Sequence, residues 1–340
     1  MLTFGDVGDS TNPEMTMVRF SAVFPVYYNA GSLRKTYDAV SHILETHRSV
    51  ASYECIFVDD GSGDNSLEEL LELQSEHPQT VKVVELARNF GQVPALQAGS
   101  LLADGDLILN MSADLQDPPE LISQMLDVRL AKGVDIVVGT RTSRDESVVR
   151  RGTSAVFYWL LQKLSFPNMP KGGFDFILFS RRVRDAILSH YEANSFWQGK
   201  ILWSGYPIHF LSYHRRGREA GQSRWTLARK IKYLFDGVLA YSYFPLRAMT
   251  VTGLLTFIGG LLYSTWIILE YFFHHTPFKG WAPIMILILL LGGLQMLFLG
   301  IIGEYLWRTL DQVRGRPLYL IKRTHGSFGR QCGGIEDQRR

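Results

Sequence analysis

The segment Ser112-Ala113-Asp114-Leu115-Gln116-Asp117-Pro118-Pro119 follows the apolar run Leu107 to Met111, placing acidic side chains at the exit of a buried strand just before a new helix. An α/β sheet binds its ligands at that edge. Asp114 and Gln116 stand two apart, so on an extended exit they face one side. There they offer hard oxygen donors to a divalent cation, Mg2+ or Mn2+, that also holds a substrate's phosphates. A plainer reading is that Asp117-Pro118-Pro119 only starts a helix, with Asp117 as its cap and proline in the first turn.

Two other strand exits carry polar groups. Asp59-Asp60-Gly61-Ser62-Gly63-Asp64-Asn65-Ser66 partly imitates a dinucleotide fingerprint. Two carboxylates ahead of the turn would repel a pyrophosphate, however, and the segment follows the second strand rather than the first. Carboxylates here suit hydrogen bonds from a base N–H or ribose hydroxyls; a capped turn without a ligand is the alternative. Arg88-Asn89-Phe90-Gly91-Gln92 adds a guanidinium and amides at the next exit. The convergence of three exits on one crevice says more than any one motif.

The elements that must position these groups alternate. Strands are expected at 19–25, 53–58, 81–86, 106–112 and 134–139, with helices at 31–47, 64–76, 91–103 and 118–131. That order predicts a mostly parallel, doubly wound α/β sheet. Beyond a polar, Arg-rich stretch at 140–154, a helix is expected at 155–166, strands at 172–179 and 206–213, and helices at 181–191 and 195–204.

The chain then changes character. Ala248 to Phe273 carries only Glu270 as a charge, and Ala282 to Ile302 carries none. Each exceeds the roughly 20 residues that span a bilayer, which favours a membrane hairpin (about 247–273 and 281–306) over buried core helices. Basic residues flank the pair, from Arg229, Lys230, Lys232 and Arg247 before it to Arg308, Arg314, Arg316, Lys322 and Arg323 after it. The positive-inside bias therefore puts both termini and the N-terminal domain in the cytoplasm. The resulting division is a disordered leader (1–17), a cytoplasmic domain (18–221), amphipathic juxtamembrane helices (222–244), the hairpin (245–308) and a basic tail (309–340). Glycines 253, 259, 260, 292 and 293 leave room for close helix packing, within one hairpin or between protomers of a homo-oligomer. The two cysteines indicate no disulfide framework, the nine histidines no zinc-like spacing, and no nucleic-acid partner is expected.

In order along the chain, Pro25-Val26-Tyr27, Asp59-Asp60-Gly61-Ser62, Arg88-Asn89-Phe90-Gly91, Asp114-Leu115-Gln116 and Gly139-Thr140-Arg141 are followed by Arg150 with Ser154. Asp175 ahead of Arg181, Arg218 through Trp225, and Pro245-Leu246-Arg247 complete the set. Together they resemble the inverting, metal-dependent glycosyltransferases of family 2 that make polyprenyl-phosphate sugars, such as dolichol-phosphate mannose synthase and bactoprenol glucosyltransferase.

The resemblance implies a GT-A fold in a protein of the bacterial inner membrane. It implies transfer of one sugar from a nucleotide-diphosphate sugar, a UDP-sugar first, to a polyprenyl phosphate at the cytoplasmic face. Pro25, Tyr27, Asp59, Asp60, Arg88, Ser112 and Arg218 fall at nucleotide-sugar positions, and Arg141, Arg150, Ser154 and Ser223 at acceptor-phosphate positions. Asp114 and Gln116 fall at the cation positions, and Asp114 and Asp175 are implied to be catalytic. The residues themselves leave Asp175 the alternative of a structural carboxylate paired with Arg181 or Arg182. Ser112 replaces the first acid of the usual Asp-x-Asp, lowering the negative charge at the cation site by one. A processive polysaccharide synthase and a non-catalytic membrane scaffold are the competing readings.

Overall fold

A computed structural model describes residues 17–141, 158–170, 172–189, 192, 196–214, 237–239, 241–274 and 281–329. In chain order the first half runs β1 (Val18–Val26), α1 (Leu33–Thr46), β2 (Val50–Asp59), α2 (Ser66–Glu76), β3 (Val81–Leu86), α3 (Gln92–Leu102), β4 (Leu107–Asn110), α4 (Leu121–Lys132) and β5 (Ile136–Arg141). A helix at 158–164, α5, precedes β6 (Phe176–Ser180), α6 (Arg181–Leu188), α7 (Trp197–Trp203) and β7 (Ile208–Tyr213). Two long helices, α8 (Phe244–His274) and α9 (Trp281–Arg314), lead to a last strand, β8 (Ile321–His325).

The eight strands form one sheet in the order β7-β5-β6-β4-β1-β2-β3-β8. Pairing is parallel from β4 through β1 and β2 to β3 and between β5 and β7, while β6 and β8 run antiparallel to their neighbours. Strand alternation builds the two core layers. Phe20, Ala22 and Phe24 of β1 with Cys55 and Phe57 of β2 pack under α1, α2 and α4. Val23, Ile56 and Val58 pack on the opposite face with α3, α6 and α7. Because β6 is antiparallel, its first residues meet the carboxyl ends of β4 and β5. Asp175 thereby reaches the same edge as Asp59 and Asp114.

Some expected elements differ. β6 begins at Phe176 rather than 172, because Gly172 and Gly173 hold φ of +109° and +66°, outside any strand. α4 begins at Leu121, and Asp117 lies four residues ahead of it, so it does not cap that helix.

α8 and α9 contain Phe244–Tyr263 and Leu290–Arg314, which by length and composition are long and apolar enough to cross a membrane. With 31 and 34 residues they run about 46 and 51 Å. Among the described residues a Cβ built on Gly259, Gly260, Gly292 or Gly293 meets nothing within 4 Å, whereas one on Gly253 would lie 3.8 Å from the Phe298 ring of the other helix.

The basic segment after α9, read from sequence as a tail, returns to the sheet. β8 pairs with β3, Lys322 forms an ion pair with Glu85, and Ala87 N donates to Leu320 O at 2.9 Å. Tyr319, Ile321 and Phe328 join the core layer that also holds Phe90 and Val93.

Candidate active site

Three exit loops are stitched together by short polar contacts. After β1, Tyr28 (φ +58°) donates its N–H to Ser62 Oγ at 3.1 Å, and Asn29 N–H donates to Ser66 Oγ at 2.9 Å. The loop after β2 presses on the loop after β3. Gly61 has φ +69°, and a Cβ there would lie 2.8 Å from Arg88 C and Asn89 N, so only glycine fits.

Asp59 and Asp60 are buried. Asp60 accepts N–H bonds from Phe90 at 2.7 Å and Gly91 at 2.9 Å, one on each oxygen, while Asp59 accepts from Ser62 N at 3.3 Å. Burial holds both carboxyls above their usual range, and these N–H bonds pull the other way. Asp60 therefore shapes the loop that carries Arg88. The Arg88 guanidinium lies 4.0 Å from the Phe90 ring centroid, a cation–π contact on the exposed lip. Half-buried Pro25 and Tyr27 border the crevice on the β1 side, with the Tyr27 ring edge-on to Tyr28 at 4.7 Å.

The exit of β4 is a turn, not an extended strand. Leu115 sits at φ +53°, and Gln116 N–H donates to Asp114 Oδ1 at 3.3 Å. The turn, rather than strand alternation, brings Asp114 and Gln116 together. Ser112 Oγ lies 2.9 Å from Asp114 Oδ1 and 3.1 Å from Asp117 Oδ2. A hydroxyl thus stands between two carboxylates where an aspartate would add a third negative charge.

From Asp117 the network crosses the sheet edge. Tyr213, the last residue of β7, donates to Asp117 Oδ1, and its own oxygen lies 3.5 Å from Arg141 Nε. Arg141, the last residue of β5, meets Asp175 Oδ2 at 2.6 Å, and Gln198 of α7 donates to Asp175 Oδ1 at 3.0 Å. Burial opposes the charge on Arg141, but Asp175 and Asp117 outweigh it and hold the guanidinium firmly protonated. Burial, then the Asp117 charge, pushes the Tyr213 phenol up and keeps it a donor. The alternative pairing of Asp175 with Arg181 or Arg182 is not formed. Arg181 turns to Asp106 and the carbonyls of Asp104 and Gly105, and Arg182 lies over the Tyr206 ring at 5.3 Å.

The structure thus gathers Pro25, Tyr27, Asp59, Asp60, Arg88, Ser112, Asp114, Gln116, Arg141 and Asp175 along one sheet edge. Arg141 stands there as the buried partner of Asp175, its side chain 5% exposed. Arg150, Ser154, Arg218 and Ser223 lie outside the described residues. The sequence offers Asp117 only as a helix cap and does not single out Tyr213 or Gln198. For Asp117 the signal was its place in the acidic cluster; a strand-end tyrosine and a helical glutamine give none.

Among the described residues no three His, Cys, Asp or Glu side chains form a metal cage. The β4 exit offers hard oxygens in the Asp114 carboxylate, which Ser112 Oγ contacts, and in the side-chain amide of Gln116. Such a partial set fits Mg2+ or Mn2+ completed by diphosphate oxygens and water.

The model of glycosyl transferase family 2 matches residues 21–188, which runs from β1 through α6 and includes every described residue of this network except Gln198 and Tyr213. An uncharacterised glycosyltransferase of Synechocystis sp. is 35% identical over 305 residues, 89% of this chain and 95% of its own. The chain belongs to glycosyl transferase family 2. It is a glycosyltransferase with the GT-A fold. A bactoprenol glucosyl transferase of Shigella phage SfII is 32% identical over 91% of this chain and 99% of its own, so the similarity continues through α8 and α9. Among solved structures, glucosyl-3-phosphoglycerate synthase of Mycobacterium tuberculosis, in complex with Mn2+, UDP and phosphoglyceric acid, has a TM-score of 0.48 and 17% identity. It covers 65% of this chain and 78% of its own.

Proposed function

We propose that this glycosyltransferase moves one sugar, with inversion, from a nucleotide-diphosphate sugar, preferably a UDP-sugar, to a polyprenyl phosphate at the cytoplasmic face of a bacterial inner membrane. The observation that carries the reading is continuity. A family 2 site stands on a domain whose chain runs through two membrane-length helices and then re-enters the same sheet as β8, beside the Arg88 loop. A lipid acceptor gives that architecture a purpose, and the bactoprenol glucosyl transferase of Shigella phage SfII is similar over 91% of this chain and 99% of its own.

The acceptor phosphate is the nucleophile. With a second pKa near 6, a phosphate monoester is already largely anionic at neutral pH and needs no strong base. Both oxygens of Asp175 are occupied by Arg141 and Gln198, which fixes the carboxylate's plane. We assign it to orient a sugar hydroxyl and to oppose positive charge growing at the anomeric carbon. Pro25, Tyr27, Asp59 and Arg88 form the nucleotide side, with Asp60 holding the Arg88 loop in place. Mg2+ or Mn2+ on Asp114 and Gln116 would neutralise the departing diphosphate. Arg150, Ser154, Arg218 and Ser223 complete the phosphate contacts in this reading.

The test offers the full-length protein in detergent a panel of UDP- and GDP-sugars, a short polyprenyl phosphate and Mg2+ or Mn2+, and follows products by mass spectrometry. A lipid carrying one sugar, absent with Asp114→Ala, is expected. Longer chains would point to a polymerase, and no product from any donor, with nucleotide binding intact, would remove the enzymatic reading of the acceptor.

A further inference from the structure

A second feature lies where α8 begins. Lys163 and Leu164 at the end of α5, with Tyr241, Tyr243, Phe244 and Arg247, surround a cavity of about 320 Å3. Its two cations are exposed, and among the described residues neither has a carboxylate partner. The carboxylate behind the aromatic wall, Glu192, is engaged by Tyr241 Oη at 3.3 Å and Lys200 Nζ at 3.6 Å. The cavity therefore has a net positive lining beside an apolar wall of Leu164 and Phe244.

Its position selects the occupant. It opens at the first turn of a helix whose first 20 residues can cross a membrane, and Tyr243 and Phe244, 76% and 53% exposed, are aromatic residues of the kind found at the lipid interface. A free phosphate would not require the apolar wall. A phospholipid diester carries one negative charge, whereas a lipid-borne phosphate monoester carries close to two, matching two cations. The cavity also adjoins the transfer site through α7. Gln198 bonds Asp175, and the next residue, Gly199, packs so closely on Tyr241 that a Cβ there would lie 2.9 Å from Tyr241 Cε2.

We propose that Lys163 and Arg247 form a receiving site for the phosphate monoester head of the lipid acceptor, at the membrane surface and one helix away from Asp175. This rests on the reading of the acceptor as a polyprenyl phosphate. Arg141, the buried partner of Asp175, is not among the cavity's lining residues.

The experiment measures binding to the full-length protein in detergent for three probes: a short polyprenyl phosphate, phosphatidylglycerol and inorganic phosphate. In Lys163→Gln/Arg247→Gln, affinity for polyprenyl phosphate is expected to fall at least 10-fold, with phosphatidylglycerol changed less than 2-fold. Arg247→Lys should retain most of the affinity. UDP binding equal to wild type shows that the variant is folded; each single variant, expected to lose about 3-fold, carries the same test. Unchanged polyprenyl phosphate affinity overturns the proposal. So does an equal loss for phosphatidylglycerol, which would make the site a general anionic-lipid contact, or inorganic phosphate binding as tightly as the lipid. Wild-type protein that binds polyprenyl phosphate through these residues but transfers no sugar to it would refute the proposed function and leave this site standing.

Discussion

Tyr213 and Asp117, 96 residues apart in the chain, share a hydrogen bond in which a strand-end phenol donates to a fully buried carboxylate. The bond joins the loop carrying Asp114 to the β5–β6–β7 side of the sheet that carries Arg141 and Asp175. Removing a donor from a buried, charged acceptor costs more than the bond's net worth, because the acceptor stays desolvated. Tyr213→Phe should therefore lower stability by about 2 kcal/mol and raise the concentration of Mn2+ needed for half-maximal activity several-fold. Thermal unfolding and a metal titration of the rate check both; a variant with lower stability and an unchanged metal requirement would confine Tyr213 to a structural role.

Asp60 separates stability from binding. Asp60→Asn relieves the cost of burying a charge but leaves only one acceptor oxygen for the N–H groups of Phe90 and Gly91. The two effects oppose each other, so stability should change by less than about 1 kcal/mol. The KM for the nucleotide sugar should rise about 10-fold as the Arg88 loop loosens. Because burial raises the Asp60 carboxyl, the folded protein retains a proton that the unfolded chain has already lost just above the ordinary carboxylate range. This contribution to stability is present below that range and is lost as pH rises through the folded-state value. Stability profiles between pH 3 and 7 should accordingly be flatter for the variant than for wild type.

Much of this edge was legible in the sequence, and the reasons it was partial are physical. Asp59, Asp60, Arg88 and Asp114 each follow an apolar strand, so a parallel sheet brings them together whatever the details. Asp175 reaches them only because β6 runs antiparallel, which its own residues do not announce. Its partner Arg141 is 34 residues away in the chain, whereas nearby Arg181 is drawn to free carbonyls at the entry to β4. β8 was missed because Ile-Lys-Arg-Thr-His shows almost no apolar alternation, as suits an edge strand with little to bury.

The Arg141–Asp175 pair can be tested from both ends. Asp175→Asn keeps a group that Gln198 can bond and should leave nucleotide binding intact while lowering kcat 100-fold or more. Arg141→Ala withdraws the cation from both Asp175 and Asp117. Since Asp175 is 36% exposed, the loss should be roughly 2–3 kcal/mol, below that of a fully buried pair. Calorimetric UDP binding and steady-state kinetics separate the two. Equal losses of UDP affinity in both variants would contradict a sugar-side role for Asp175.

Ser112 offers a test in the opposite direction. Its hydroxyl lies within hydrogen-bonding distance of both Asp114 and Asp117. In Ser112→Asp a third carboxylate replaces that donor. Like charges at this spacing should destabilise the metal-free protein by about 1–2 kcal/mol and tighten Mn2+ binding about 10-fold. The melting temperature should therefore fall without metal and recover on adding Mn2+. A variant that loses stability with and without metal would show that Ser112 serves the fold and not the cation site.

The return of the chain after α9 supplies the last test. β8 covers the outer edge of β3, where unpaired N–H and C=O groups would otherwise invite pairing with another chain. Its neighbours reach further: Leu320 accepts from Ala87, one residue before Arg88, and Tyr319 packs in the core layer containing Phe90. Glu85, 9% exposed at its side chain, would lose Lys322 and be left buried without that cation. Ending the chain after Arg316 should thus raise the nucleotide-sugar KM at least 5-fold and promote association in detergent, although the Arg88 loop and the other described site residues are all retained. Lys322→Ala alone should give a smaller rise in KM without association. Kinetics and light scattering on the two variants decide the matter: a truncated protein with wild-type KM would show that β8 protects the edge of the sheet but does not support the nucleotide loop.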